Sequence, residues 1–124
     1  MKNNNGKVIT VSTKAWNWLD KQKRLLKNEH EDNILRLIKD SKEYRGVHPD
    51  ASYPEVKKWE TRTVKVSDDL YMALNVMRGQ GIIRTGEAEY SYPRIMNDLI
   101  NDSEKLNEME QTAMQEVDKI AETA

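Results

Sequence analysis

A short unit occurs twice in the chain, and this repetition restricts the folds that the chain can adopt. Residues 7–15 read KVITVSTKA and residues 62–70 read RTVKVSDDL, so that Ser12 and Ser67 align at an offset of 55 residues. Each unit begins with the polar/apolar alternation of a half-buried strand. Serine is a favoured helix N-cap, and apolar residues follow each serine at helical spacing. Each unit therefore predicts a strand that leads directly into a helix.

The repetition continues beyond the first helix. Residues 29–41 read EHEDNILRLIKDS and residues 91–103 read SYPRIMNDLINDS, and the two segments align without gaps at an offset of 62. The identical or similar positions are Leu37, Ile38, Asp40 and Ser41 in the first segment, and Leu99, Ile100, Asp102 and Ser103 in the second. Because the second offset exceeds the first by seven residues, we expect a longer helix-to-helix loop in the second copy.

Strand, helix, turn and helix, with a capping serine after the strand, resembles the ribbon-helix-helix family of DNA-binding proteins. The resemblance is strongest in residues 63–71, TVKVSDDLY, and in residues 91–100, SYPRIMNDLI. A tandem arrangement is similar to regulators of archaea and archaeal viruses, and the unit is also similar to antitoxin N-terminal domains of the family. The resemblance implies a mainly α fold with a short two-stranded antiparallel β-ribbon, built as a single-chain pseudo-dimer with an additional C-terminal helix.

The chain is accordingly divided into four segments. Copy one spans residues 7–44, a linker spans 45–60, copy two spans 61–106, and a helical tail spans 107–124. The linker contains one Gly and two Pro, which interrupt the helical pattern. The two strands are predicted to pair within the chain, while pairing of copy one with copy one of a second chain remains an alternative.

The apolar residues of both copies predict one shared core beneath the ribbon. A single strand-helix-helix unit can neither satisfy the backbone hydrogen bonds of its strand nor bury the apolar faces of its helices. The expected core residues are Ile9, Val11, Leu19, Leu26, Ile34, Leu37 and Ile38 from copy one, and Val64, Val66, Leu70, Leu74, Ile95, Leu99 and Ile100 from copy two. Residues 79–89, GQGIIRTGEAE, are rich in glycine and are interpreted as a loop. They lack the Gly-Lys-Ser/Thr ending of a phosphate-binding loop.

The resemblance implies that the outward face of the ribbon reads base edges in the major groove, through Val8, Thr10, Thr61, Thr63 and Lys65. It also implies that the start of the second helix of each copy holds a phosphate. In copy two this start is formed by Ser91, Tyr92 and Arg94. In copy one it carries the carboxylates of Glu29, Glu31 and Asp32, which repel phosphate. The two copies are therefore expected to bind DNA unequally, with copy two dominant.

The tail has an apolar stripe at helical spacing, formed by Leu106, Met109, Ala113, Val117 and Ile120. A helix there either continues or breaks near Asn107, and it must pack on the body, on its own mate or on another protein. Residues 103–124 contain six carboxylates and two lysines, a net charge of −4, against a net charge of −1 for the whole chain. We expect self-association through this helix, and a protein partner is a further possibility.

Several classes of function are not indicated by the sequence. The chain has no Cys, its two His residues are isolated, and it contains no catalytic or nucleotide-binding motif. No enzyme activity, metal or cofactor is predicted, and no membrane span or signal peptide is recognised. We expect a cytoplasmic protein that binds double-stranded DNA, in the host cytoplasm if the source is viral. The alternative is an antitoxin-like or adaptor module that acts through its C-terminal helix.

Overall fold

The computed structural model describes residues 6–51, 53, 60–87 and 90–123. Residues 52 and 54–59 of the predicted linker lie outside this part of the chain. The described elements are β1 (Lys7–Ser12), α1 (Thr13–Leu26), α2 (His30–Val47), β2 (Thr61–Val66), α3 (Asp68–Thr85) and α4 (Tyr92–Thr123). The predicted fold class is confirmed at the level of a mainly helical protein with four helices and a two-stranded antiparallel sheet.

β1 and β2 pair in a register that matches the repeat. Ile9 lies opposite Val64, the residue at the equivalent position of the second copy. Because side chains alternate along a strand, Ile9 and Val64 point to one face of the ribbon, and their neighbours in each strand point to the other. The pairs on that other face include Val8–Lys65 and Thr10–Thr63. A two-stranded ribbon is marginal alone, so the buried face must be covered by helices.

Both predicted N-caps are present and have nearly the same geometry. The Ser12 hydroxyl accepts a hydrogen bond from the Ala15 amide at 3.0 Å, and the Ser67 hydroxyl accepts one from the Leu70 amide at 3.2 Å. Each cap satisfies an amide that the first helical turn leaves without an intrahelical acceptor. The change from strand to helix is therefore fixed locally at the same point of each copy.

The core lies between the ribbon and the four helices, and twelve of the fourteen expected residues are buried in it. Ile38 is half-buried against this core, while Leu26 is 48% exposed. The prediction for Leu26 is wrong because α1 ends at this residue and the chain turns away at Lys27, which has a left-handed φ of 53°. Tyr90 and Met96 join the core without having been predicted.

The interpretation of residues 79–89 as a loop is wrong for its first seven residues. α3 continues through Gly79 and Gly81 to Thr85 and ends at Gly86, which has a φ of 74°. A glycine in a helix costs about 1 kcal/mol relative to alanine, and this penalty favoured the loop. The tertiary structure offsets it, because the Tyr90 ring packs on the Gly81 backbone in the space that a Cβ would fill.

The seven additional residues of copy two are consequently divided between helix and connection. α3 has 18 residues against 14 in α1, and the remaining difference lies in the longer connection to α4. α4 is one helix of 32 residues without a break near Asn107. No helix in the described ranges is long and apolar enough to cross a membrane.

α2 and α4 are joined by a reciprocal pair of hydrogen bonds. The Ser41 hydroxyl donates to Asp102 at 2.7 Å, and the Ser103 hydroxyl donates to Asp40 at 2.8 Å. These are the matching Asp-Ser pairs of the two copies. Asp102 is fully buried and also accepts from the Arg45 guanidinium at 2.7 Å and from the Tyr53 hydroxyl at 2.8 Å.

We expect Asp102→Ala to lower the free energy of unfolding by about 3–5 kcal/mol, because Arg45 loses its buried counter-charge. The matched change Asp40→Ala removes a single hydrogen bond at the equivalent position and should cost about 1 kcal/mol. Urea denaturation of both variants measures the difference. Equal losses would show that the additional partners of Asp102 contribute no stability.

Candidate nucleic-acid interface

The five side chains predicted to read DNA lie together on the outer face of the ribbon. All five are exposed, and Val8 has 57% of its surface accessible. The strand register places Val8 beside Lys65 and Thr10 beside Thr63, while Thr61 lies opposite Ser12 at the end of the ribbon. These five residues, Val8, Thr10, Thr61, Thr63 and Lys65, are called the ribbon strip below.

The ribbon strip combines groups that suit base edges. Threonine offers a hydroxyl that donates or accepts a hydrogen bond, together with a methyl group, and Val8 offers further methyl groups. Lys65 supplies the positive charge of the strip. The backbone beneath it is held by the buried residues of the opposite face, so the side chains project from a rigid support.

One end of the ribbon lies beside the acidic start of α2. The Ser67 amide donates a hydrogen bond to Glu31 Oε1 at 2.7 Å. Glu29, Glu31 and Asp32 line a hollow of about 550 Å³ together with Lys65. The carboxylates of copy one therefore lie beside the strand of copy two. They make the electrostatic potential at the Lys65 end of the ribbon more negative, which disfavours a phosphate there.

These carboxylates also have a structural role that was not predicted from the sequence. The Glu29 amide donates to Asp32 Oδ2 at 3.0 Å, and the Glu29 side chain caps the same helix in return. Acidic groups at a helix N-terminus are stabilised by the helix dipole. The Glu-x-x-Asp spacing was the available signal for this reciprocal cap.

The start of α4 lies toward the other end of the ribbon. The Ser12 hydroxyl donates to Asn97 Oδ1 at 3.1 Å, which joins the end of β1 to the second turn of α4. Ser91 caps this helix, since its hydroxyl accepts from the Arg94 amide at 3.4 Å. The first turn of α4 contains no acidic residue. The two ends of the ribbon thus differ in electrostatic character.

Tyr92 is half-buried at the start of α4. Its hydroxyl donates to Asn75 Oδ1, and its ring lies 5.9 Å from the Tyr71 ring. Burial, followed by the neighbouring Tyr71, raises the pKa of Tyr92 to about 12. The hydroxyl therefore stays protonated at neutral pH.

Arg94 is 5% exposed and belongs to an internal ion network. Its Nε lies 3.3 Å from Asp98, its Nη1 lies 2.9 Å from Glu87, and its Nη2 donates to the Tyr53 carbonyl at 2.6 Å. Burial raises the pKa of Asp98, while Tyr90 and Arg94 oppose this shift. All three side-chain nitrogens of Arg94 thus have partners within the protein. The i,i+4 spacing from Asp98 was the sequence signal for this pairing.

Arg62 is an exposed cation of β2 for which no role was predicted. Its guanidinium lies 4.4 Å from the centre of the Trp16 ring, a cation–π distance. Because Arg62 alternates with Thr61 and Thr63 along β2, it points to the side of the ribbon that faces the helices and stacks there on α1, so it does not join the ribbon strip. Within the described ranges no cluster of three His, Asp or Glu side chains is arranged to hold a metal ion.

No protein-family model, no curated protein and no solved structure matches the chain.

Replacing Glu31 by Ala leaves the half-buried Ser67 amide without its acceptor, and we expect a loss of about 1–3 kcal/mol in unfolding free energy. Glu31→Gln keeps a carbonyl oxygen at the same place and should retain most of that stability. Chemical denaturation at neutral pH compares the two variants. If both lose the same amount, the hydrogen bond to Ser67 does not stabilise the fold.

Proposed function

We propose that the chain is a transcription regulator that binds specific double-stranded DNA by inserting the ribbon into the major groove. The observation that carries this proposal is the ribbon strip, five exposed side chains on one face of a two-stranded ribbon whose other face is buried. A ribbon of this width fits the major groove, where each base pair presents a distinct pattern of donors, acceptors and methyl groups. The threonines would contact base edges or thymine methyl groups, and Lys65 would contact guanine or a phosphate.

The proposal includes a tandem ribbon-helix-helix pseudo-dimer. Two features support a twofold relation between the copies. Ile9 pairs with its own repeat equivalent Val64, and the Asp-Ser pairs of α2 and α4 exchange hydrogen bonds reciprocally. Self-equivalent pairing of this kind is what a twofold axis through the centre of the ribbon produces.

We further propose that phosphate binding is unequal at the two ends of the ribbon. The start of α4 offers the Tyr92 amide and the positive end of its dipole, with the half-buried side chains of Ser91 and Tyr92 beside it. Pro93 has no N–H, and the Arg94 amide is bound by Ser91. The start of α2 offers three carboxylates beside Lys65. The α4 end is therefore the main phosphate site. Arg94 stabilises the fold through its internal ion pairs and does not contact the phosphate.

Lys65→Ala should weaken binding to the native site by about 1–3 kcal/mol if Lys65 contacts a base. If it contacts a phosphate, the slope of log affinity against log salt should become shallower by about one unit. Thr63→Ala should weaken binding more than Thr10→Ala, because β2 presents Thr61 and Lys65 beside Thr63, whereas β1 presents Val8 beside Thr10. A gel-shift series against the upstream region of the gene measures these effects.

Lys39→Ala is the matched control, because it removes one exposed lysine from α2, away from the ribbon. It should leave the affinity within about 0.5 kcal/mol of the parent. If Lys65→Ala and Thr63→Ala also bind as tightly as the parent at physiological salt, the ribbon does not read DNA.

Glu31→Gln should tighten DNA binding, because it removes a negative charge beside Lys65 while keeping the acceptor for Ser67. The gain should decrease as salt is added, since exposed charges are screened over about 10 Å at 0.1 M. Glu43→Gln removes an exposed charge from the second half of α2 and serves as the control. Equal affinities for the two variants would mean that the α2 end lies away from the DNA.

The second candidate function is an adaptor or antitoxin-like module that acts through α4. The observation in its favour is that every residue from Asn107 to Glu122 is exposed. Salt-dependent retention on DNA would favour the first function. Loss of partner capture after truncation at Ser103, with unchanged DNA retention, would favour the second.

A further inference from the structure

We infer that the projecting part of α4 docks on the outer face of α1 in a second copy of the chain, so that copies associate head to tail. This contact does not depend on DNA binding. The face of α4 involved is called the tail face and contains Glu110, Met114, Val117 and Asp118. The face of α1 involved is called the basic face and contains Lys14, Lys21, Arg24 and Leu25.

The tail face is a regular helical surface that the body does not cover. Leu106 is the last buried residue of α4. Beyond it, Met114 is 68% exposed and Val117 is 63% exposed. Glu110, Met114, Val117 and Asp118 follow one another at spacings of four, three and one, which places them on one side of the helix. This side of the helix therefore combines two exposed apolar side chains with two carboxylates, while Met109 and Ile120 lie on an adjoining side.

The basic face has the complementary composition. Lys14, Lys21, Arg24 and Leu25 are exposed, and they fall within one sector of α1. Leu25 has 66% of its surface accessible and lies among the three cations. Within the described ranges Lys14 and Lys21 form no ion pair, and Arg24 has an exposed pair with Asp20 at 3.2 Å. Such an exposed ion pair contributes little to stability, so Arg24 can pair with another carboxylate instead.

Charge decides which surface the tail face meets. Residues 103–124 have a net charge of −4, so two tails placed side by side would repel each other. Residues 13–27 carry five basic side chains and one aspartate, so the net charge of this segment is positive. α3 offers no equivalent surface, because the counterparts of Lys21 and Arg24 at the offset of 55 are Val76 and Gly79. Each chain therefore has one tail face and one basic face.

The contact must form between two chains. α4 is a single helix, and no Gly or Pro occurs after Pro93. The part beyond Leu106 extends for about 25 Å at 1.5 Å per residue. A sharp bend in a helix requires Pro, a Gly-containing step or an interrupted backbone ladder, so the tail cannot fold back on its own α1. A different surface on each partner also makes the contact heterologous, which allows chains of copies.

The expected association is weak and sensitive to salt. One helix packed on another covers less than the roughly 800 Å² per partner of a stable interface. Its charges are exposed, so raising the ionic strength should weaken it. The apolar contribution comes from Leu25 against Met114 and Val117.

The test uses full-length chains and two charge reversals. Variant T carries Glu110→Lys and Asp118→Lys on the tail face, and variant A carries Lys21→Glu and Arg24→Glu on the basic face. Sedimentation velocity at low and high salt, over a wide range of protein concentration, gives the state of association without DNA. We expect the parent to associate at low salt and to dissociate at high salt, whereas T alone and A alone remain monomeric.

An equimolar mixture of T and A distinguishes this contact from others. In the mixture, the basic tail face of T meets the acidic α1 of A, and the acidic tail face of A meets the basic α1 of T. Association at low salt should therefore return. A matched control with Glu104→Lys and Glu108→Lys changes the net charge of α4 by the same amount on another side of the helix, and it should associate like the parent.

Three results would overturn the inference. A parent that is monomeric at every concentration and salt has no such contact. Loss of association in T with none in A would place the interface between tails or on another surface. Failure of the mixture to associate, with circular dichroism showing both variants folded, would exclude pairing of these two faces. Should T or A unfold, the single changes Asp118→Lys and Lys21→Glu give the same comparison.

Discussion

The structure depends on a backbone constraint: in the part of the chain that the structure describes, β1 and β2 pair with each other and with no other strand. A ribbon of two strands is marginal in water unless one face is buried. Here the buried face is the line of Ile9, Val11, Val64 and Val66, covered by four helices. The ribbon joins the two copies on one side of the core, and the contacts of α2 with α4 join them on the other side. Neither copy could bury its own apolar residues alone.

Polar groups distinguish the two copies within this shared frame. Asp102 accepts hydrogen bonds from Ser41, Arg45 and Tyr53, whereas its counterpart Asp40 accepts one from Ser103. The additional turn of α3 and the buried ion pair of Arg94 with Asp98 also belong to copy two alone. The two strand-helix-helix segments therefore differ in the polar groups that surround their core residues. This asymmetry leaves one end of the ribbon acidic, and it gives the chain a single projecting helix.

Much of the local structure could be predicted from the residues. Alternating side chains and the caps at Ser12 and Ser67 marked both strand-to-helix transitions, because these signals act over a few residues. The predictions for Leu26 and Gly81 were wrong for two different reasons, one the point at which a helix ends and the other a contact from outside the helix. Gly81 stays helical because Tyr90 packs on it, and Leu26 is exposed because the chain turns at Lys27. Arg94 was assigned to phosphate because its sequence neighbourhood could not show Glu87 or Tyr53 beside it.

The sequence by itself determined that two equivalent units exist, where each strand meets its helix, and which strand residues alternate between the core and solvent. These properties follow from local spacing and from repetition. Only the tertiary structure decided the register that pairs Ile9 with Val64, the position of the α2 carboxylates beside Lys65, and the burial of Arg94. Each of these depends on which groups meet across tens of residues, because burial and electrostatic partners are properties of the packed chain rather than of any one segment.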